Sequence, residues 1–269
     1  MDCGTFNIME VTLYSNFKTW NPWLKSGNKA ILNEKDFEYP VSLKSDYQLS
    51  IPSGEIVIVK SDFFLEGTDE WIDKAWNFII CRKDLIFVIP TANPDRIRER
   101  LPYGDLTLLS NVQLLIQISS NSDTLQKLIH ANRISKYFNG NVGILVSSLT
   151  ANVSVEKYLK TGNFNCVIAK GSKCGSKCNF GSVLNLREQC KQFDNMRFMF
   201  YSTGSNFIKD GKLYHIKDSA TMRGQAIKSN LDFCVGNPTV AKAEYPDGRE
   251  IALSTPCYSG CLYCKNICF

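Results

Sequence analysis

The chain has 269 residues, 44% of them hydrophobic and 21% charged, a composition that excludes disordered, collagen-like and mucin-like chains. A formal net charge of +5 with dispersed Lys and Arg argues against a nucleic-acid partner, since only Arg96, Arg98 and Arg100 form a dense group. No run approaches the roughly 20 apolar residues of a membrane helix, so no membrane partner is expected.

The first stretch of roughly 50 residues is irregular, with Trp20-Asn21-Pro22-Trp23 and a turn at 27–28. Short apolar runs follow at Glu55–Lys60, Leu85–Pro90, Val112–Ile118, Val142–Ser147, Asn165–Ala169 and Arg197–Tyr201. They are nearly continuous rather than alternating, as strands buried on both faces read. Between them, helices are predicted over Asp69–Arg82, Pro94–Arg100, Ser122–Phe138, Val153–Lys160, Ser182–Phe193 and Ala220–Asn230, with Asn121 and Ser122 as N-caps. Strand–helix alternation with short connections specifies a parallel sheet with right-handed crossovers in one domain spanning residues 1–269. A further strand is predicted at Arg249–Ser254, beside Glu55–Lys60, leading into a cysteine-rich loop at 256–268.

Eleven cysteines, an odd number, and only two histidines fit a disulfide scaffold poorly. The N-terminal Met1-Asp2-Cys3-Gly4 has no secretory leader, so a reducing cytoplasm is the expected location. Cys3, Cys81, Cys166, Cys190 and Cys234 are scattered, as small buried hydrophobes would be. Cys174 and Cys178 lie in a small-residue loop that lacks the P-loop pattern; they could line a cofactor or hold a second metal. The terminal cluster is denser: Cys257, Cys261 and Cys264 are spaced C-x3-C-x-aromatic-C, with Tyr263 at the aromatic position. Structural zinc sites divide their ligands into two separated pairs, whereas three thiolates in one tight loop suit a 4Fe–4S cluster with one iron left for a small molecule. If Cys268 is a fourth ligand, the centre becomes an electron carrier or a structural metal site instead.

This spacing resembles the signature of the radical S-adenosylmethionine (radical SAM) superfamily. The resemblance implies a partial (β/α)6-type parallel barrel, here with the cluster-binding strand and loop at the C-terminus, as in a circular permutation. Cys257, Cys261 and Cys264 would be the iron ligands and Tyr263 would lie beside the adenine of S-adenosylmethionine. Trp20-Asn21-Pro22-Trp23, the stretch from Lys60 to Glu66, Asp69-Glu70-Trp71, Glu156-Lys157-Tyr158-Leu159, Thr203-Gly204 and Leu213-Tyr214-His215-Ile216 look like a phage-associated radical SAM-like family. Within the superfamily the rearranged chain is most similar to the queuine lyases of queuosine salvage. That implies a radical lyase acting on a small queuine-like base, with an external one-electron reductant such as flavodoxin or ferredoxin.

Parallel α/β sheets carry their chemistry in the loops after the strands' carboxyl ends. Ser61 and Asp62 follow the strand placed next to the cluster strand, where relatives bind the methionyl ammonium. Ser119, Ser120 and Asn121 fall where ribose or carboxylate contacts would lie, Ser147 and Ser148 follow the fourth strand, and Lys170 would answer the methionyl carboxylate. Each also has an ordinary reading as a cap, turn or solvated loop residue. Two other functions remain open on the sequence: a radical enzyme modifying tRNA or another nucleic acid, and a zinc-stabilised binding module.

Overall fold

The computed structural model describes residues 17–27, 29–102, 109–119, 124–138, 140–147, 149–173, 175–194, 196–234, 242–244 and 250–252. In chain order, strand β1 (Phe17–Trp20) leads into the hairpin β2 (Trp23–Ser26) and β3 (Lys29–Leu32), the short helix α1 (Glu34–Phe37) and strand β4 (Ile56–Val59). Helix α2 (Ile72–Cys81), β5 (Ile86–Thr91), β6 (Val112–Ser119), α3 (Thr124–Ile134), β7 (Val142–Ser147), α4 (Glu156–Leu159) and β8 (Cys166–Lys170) follow. Then come β9 (Lys177–Asn179), α5 (Phe180–Cys190), β10 (Arg197–Ser202), β11 (Asn206–Lys209), β12 (Lys212–His215), α6 (Ser219–Lys228), β13 (Phe233–Cys234), β14 (Lys242–Glu244) and β15 (Glu250–Ala252).

The main sheet runs β1-β4-β5-β6-β7-β8-β10-β13, with its first seven strands parallel and β13 antiparallel on the edge. Neighbours in the sheet follow chain order, so every crossover steps the same way and the helices collect on one face. The result is a curled parallel half-barrel. Residues such as Val57, Phe87, Leu114, Ile144, Val167 and Phe198 pack under Trp76 and Ile79 of α2, Leu128 and Ala131 of α3, Val183 and Leu186 of α5 and Ala226 of α6. The alternate positions Ile56, Ile58, Val88, Leu115, Leu145, Cys166, Ile168 and Tyr201 form a separate apolar layer on the opposite, concave face. Both faces are buried, which is why the strands read as unbroken apolar runs.

The six predicted strands are all present, and the first strand of the sheet corrects the expectation. Phe17–Trp20, not Arg249–Ser254, lies beside Ile56–Val59; Glu250–Ala252 pairs antiparallel with Lys242–Glu244 in a two-stranded sheet. The strand is only four residues long and stops at Asn21-Pro22, which made it read as irregular. What secures it is Trp20, buried against Phe87 and Phe63, with its indole N–H donating to the Asp36 and Phe37 carbonyls at 3.1 Å. Two helix expectations also change. Pro94–Arg100 forms two 3-10 turns, Pro94–Arg96 and Arg98–Arg100, and Val153–Lys160 shortens to α4.

The segment between α1 and β4 is fastened by Arg82, which is buried and donates to the carbonyls of Pro40 and Ile51. Its guanidinium grips Asp84 with two bonds of 2.9 and 2.8 Å, and chiefly this holds the Asp84 carboxyl down from 3.8 to about 2. A depressed carboxylate adds stability that is complete above 3.8 and disappears as pH falls through about 2. Urea titrations of wild type and Asp84→Asn are therefore expected to differ by a constant amount above about pH 5, the difference shrinking toward zero by about pH 2. A difference independent of pH would mean that the charge of Asp84 contributes nothing.

Candidate active site

The carboxyl ends of the parallel strands define one rim of the half-barrel. Three of the predicted residues meet there. Ser119 is in register with Ser147, Ser147 with Lys170, and Lys170 with Ser202, so the ends of β6, β7, β8 and β10 form one transverse row. Ser119, Ser147 and Lys170 share the face of Leu115, Leu145 and Ile168, which is the concave one. Gln117 lies one pleat below Ser119 on the same face, with its Nε2 3.5 Å from Ser147 Oγ, while Ser147 donates to the Ile118 carbonyl at 3.0 Å.

Beneath this row the concave face is closed by packing. A Cβ at Gly143 would stand 2.3 Å from Cys166 Sγ and 2.9 Å from Leu115 Cδ2, so only glycine fits between β6 and β8 at that level. Lower still, Gln113 and Asn165 exchange amide bonds of 3.2 and 3.1 Å. The polar groups of the two levels have different surroundings: the lower amides satisfy each other, and the upper ones stand at the mouth.

On the β4 side of the mouth, Asp62 acts as a clamp between loops. Its Oδ1 accepts from Phe64 N at 3.1 Å and Thr91 Oγ1 at 2.7 Å, and its Oδ2 from Ala92 N and Asn93 Nδ2, both at 2.8 Å. The loop after β4 is thereby tied to the loop after β5, and Trp23 Nε1 adds a bond of 2.9 Å to the Asp62 carbonyl. Burial holds the Asp62 carboxyl above its ordinary value, and these four donors oppose that rise without cancelling it. Four bonds occupy all the acceptor directions of a carboxylate, so the side chain is fully committed within the protein. Its neighbour Ser61 differs. It is 5% exposed, and its Oγ has no partner among the described residues.

On the β8 and β10 side, two loops run backbone against backbone. A Cβ on Gly171 would fall 2.1 Å from the Thr203 carbonyl oxygen, and one on Gly204 2.5 Å from that of Ser172. Ser205 N donates to Ser172 O at 3.0 Å, and Asn206 Nδ2 to Gly175 O at 2.7 Å. This contact ties together the two loops that lead into the small sheet β12-β11-β9. Cys178, on β9, is buried in the core with its thiol pushed up to about 12 by burial, which makes it an inert packing group. Cys166 and Cys190 are buried as expected and Cys81 is exposed. The aromatic residues Trp20, Trp23, Phe63 and Phe64 are core residues, Phe63 stacking edge-on to Trp76 at 4.8 Å.

Two residues of the dense arginine group, Arg96 and Arg100, meet Asp69 at 3.3 and 2.8 Å, and Arg96 also donates to the Phe64 carbonyl, while Arg98 is exposed. His215 is exposed with Nδ1 2.7 Å from Asn206 Oδ1, so its ring partner is an amide and not a carboxylate. Cys257, Cys261 and Cys264, the expected iron ligands, with Tyr263 and Cys268 in the loop 256–268, lie outside the described residues. So do Ser120, Asn121, Ser148, Cys174 and the strand ends 249 and 253–254. Among the described residues no group of three His, Cys, Asp or Glu side chains could hold a metal, and no helix is long and apolar enough to cross a membrane.

Sequence reasoning missed Gln117, and it placed Thr91–Asn93 among the post-strand loops without a role for either residue. For Gln117 a signal was present: Gln113, Gln117 and Ser119 are the polar members of an otherwise apolar strand, and their even spacing puts them on one face. For Thr91 and Asn93 the sequence gives the position after a strand and not the role, which depends on a carboxylate some 30 residues away. No family model, no curated protein and no solved structure matches the chain.

Proposed function

We propose that the chain is a radical SAM lyase that cleaves the carbon–nitrogen bond joining the cyclopentenediol of a queuine-like 7-deazaguanine base to its aminomethyl group. The observation that carries the reading is the C-x3-C-x-aromatic-C spacing of Cys257, Cys261, Tyr263 and Cys264 in a chain whose sheet is a curled parallel half-barrel. Three thiolates in one short loop are the right donor set for a 4Fe–4S cluster with one open iron. Two features of the rim fit S-adenosylmethionine as the small molecule: the row Ser119, Ser147 and Lys170, and the buried, unpartnered hydroxyl of Ser61.

When bound, the cluster and S-adenosylmethionine supply a carbon-centred radical that takes one hydrogen atom from the substrate. The protein's own residues bind and orient. Lys170 answers the methionyl carboxylate, the hydroxyls of Ser119 and Ser147 serve the ribose, and Tyr263 covers the adenine. Asp62 contributes by holding the loops after β4 and β5 in one place, so that Ser61 is presented at a fixed position. The apolar concave layer that includes Ile58, Leu115, Leu145 and Tyr201 gives the mouth a close-packed floor.

The test is product analysis. Protein reconstituted with iron and sulfide without oxygen, then given queuine, S-adenosylmethionine and a reductant, is expected to form methionine, 5′-deoxyadenosine and the aminomethyl base together. Methionine and 5′-deoxyadenosine without base conversion would remove the lyase and keep the superfamily. Zinc in place of iron, with no cleavage, would remove both.

A further inference from the structure

Among the described residues of β6, β7 and β8, the concave rim contains one group with the geometry to read a heterocycle's edge. Among the concave-facing residues of β6, β7 and β8, the hydroxyls of Ser119 and Ser147 each offer a single atom, and the Lys170 ammonium only donates. A carboxamide alone presents a donor and an acceptor side by side in one plane. Gln113 has one, but it is buried and exchanges bonds with Asn165. Gln117 has the other, half-buried at the mouth, and its partner among the described residues is Ser147 Oγ at 3.5 Å.

That partner also bears on which way the amide faces. Ser147 uses its only hydroxyl hydrogen on the Ile118 carbonyl at 3.0 Å, so toward Gln117 it can only accept, which favours Nε2 as the atom that faces it across a long contact of 3.5 Å. Nε2 keeps a second hydrogen, and Oε1 keeps its acceptor directions. Below Gln117 lie Leu115 and the tightly packed Gly143–Cys166 contact, so the amide cannot sink and must meet whatever occupies the mouth.

We propose that Gln117 is the specificity-determining residue of this site, its carboxamide pairing side by side with the lactam edge of a planar base. Nε2 donates to the ring carbonyl and Oε1 accepts from the adjacent ring N–H. The inference rests on the reading of the rim as a base-processing site and names the group that selects the base.

Binding to the full chain separates the two ideas without turnover. The probes are 7-deazaguanine and its 1-methyl derivative, in which the ring N–H is replaced by a methyl group. Wild type is expected to bind 7-deazaguanine roughly 10- to 100-fold tighter, the worth of one or two buried hydrogen bonds. Gln117→Leu and Gln117→Met fill the same volume on an apolar face and are expected to fold, as thermal melts will check, while binding both probes about equally. Variants that keep the wild-type preference would overturn the role of Gln117 and leave the base-processing reading standing. Wild type that binds neither probe would overturn both.

Discussion

Cys261→Ala is expected to leave the protein folded and without its cluster. A cubane whose fourth iron is open to a small molecule has three protein thiolates and no reserve. Removing one strips an iron of its anchor, so reconstituted protein should fall from about four irons per chain to a small fraction of that. S-Adenosylmethionine cleavage should fall to background with it, and Cys257→Ala and Cys264→Ala should behave alike. Cys268→Ala is the control that separates an open centre from a saturated one. If three ligands suffice, the variant keeps its iron, its cluster absorbance and its cleavage activity, each about as in wild type. Loss of iron in Cys268→Ala would establish a fourth thiolate and with it an electron carrier or structural site. Full iron loading in Cys261→Ala would end the proposal.

Asp62→Ala should give the largest structural effect of any single change at the rim. It removes one carboxylate and orphans four donors, on Phe64 N, Thr91 Oγ1, Ala92 N and Asn93 Nδ2. Stranded buried donors cost about 1–3 kcal/mol each, and partial rescue by water leaves an expected loss of about 3 kcal/mol or more. For a chain of this size that is a melting midpoint lower by roughly 5–10 °C. Asp62→Asn should recover part of the loss, because one oxygen still accepts, while its NH2 group must face a backbone N–H that cannot turn away. The clamp reading also makes a functional prediction: both variants weaken S-adenosylmethionine binding through the loop that carries Ser61, and Asn does so less than Ala. An Asp62→Ala protein that melts like wild type would show that the loops after β4 and β5 hold themselves together without it.

The outcome at Asp62 and at Lys170 shows where sequence reading reaches its limit. Both were placed at the mouth by one rule, that loops after parallel strands carry chemistry. The rule located them without distinguishing their roles. Lys170 stands in a row with Ser147 and Ser119 because strand register aligns residues about 25 positions apart. Asp62 is held by three donors from Thr91, Ala92 and Asn93 besides the local Phe64 N, and no local pattern encodes those three. Strand β1 was overlooked for a related reason. Four residues ending at Asn-Pro carry little periodicity, and what makes Phe17–Trp20 a strand is the free edge of Ile56–Val59 and the pocket among Phe63, Phe87 and α1 that takes the Trp20 indole.

The amino-acid sequence by itself determined the class of the fold and the six central strands, because unbroken β-branched runs separated by amphipathic helices can be buried only as a parallel sheet under helices. It also determined the thiolate spacing on which the proposed chemistry depends. Only the tertiary structure decided which strand fills the first position and which rim residues are committed within the protein. It likewise decided that Gln117 stands at the mouth while Gln113, four residues earlier on the same strand, is spent on Asn165. The physical reason is the same in each case: a hydrogen bond or a strand pairing is settled by what arrives from elsewhere in the chain, and local pattern does not contain that partner.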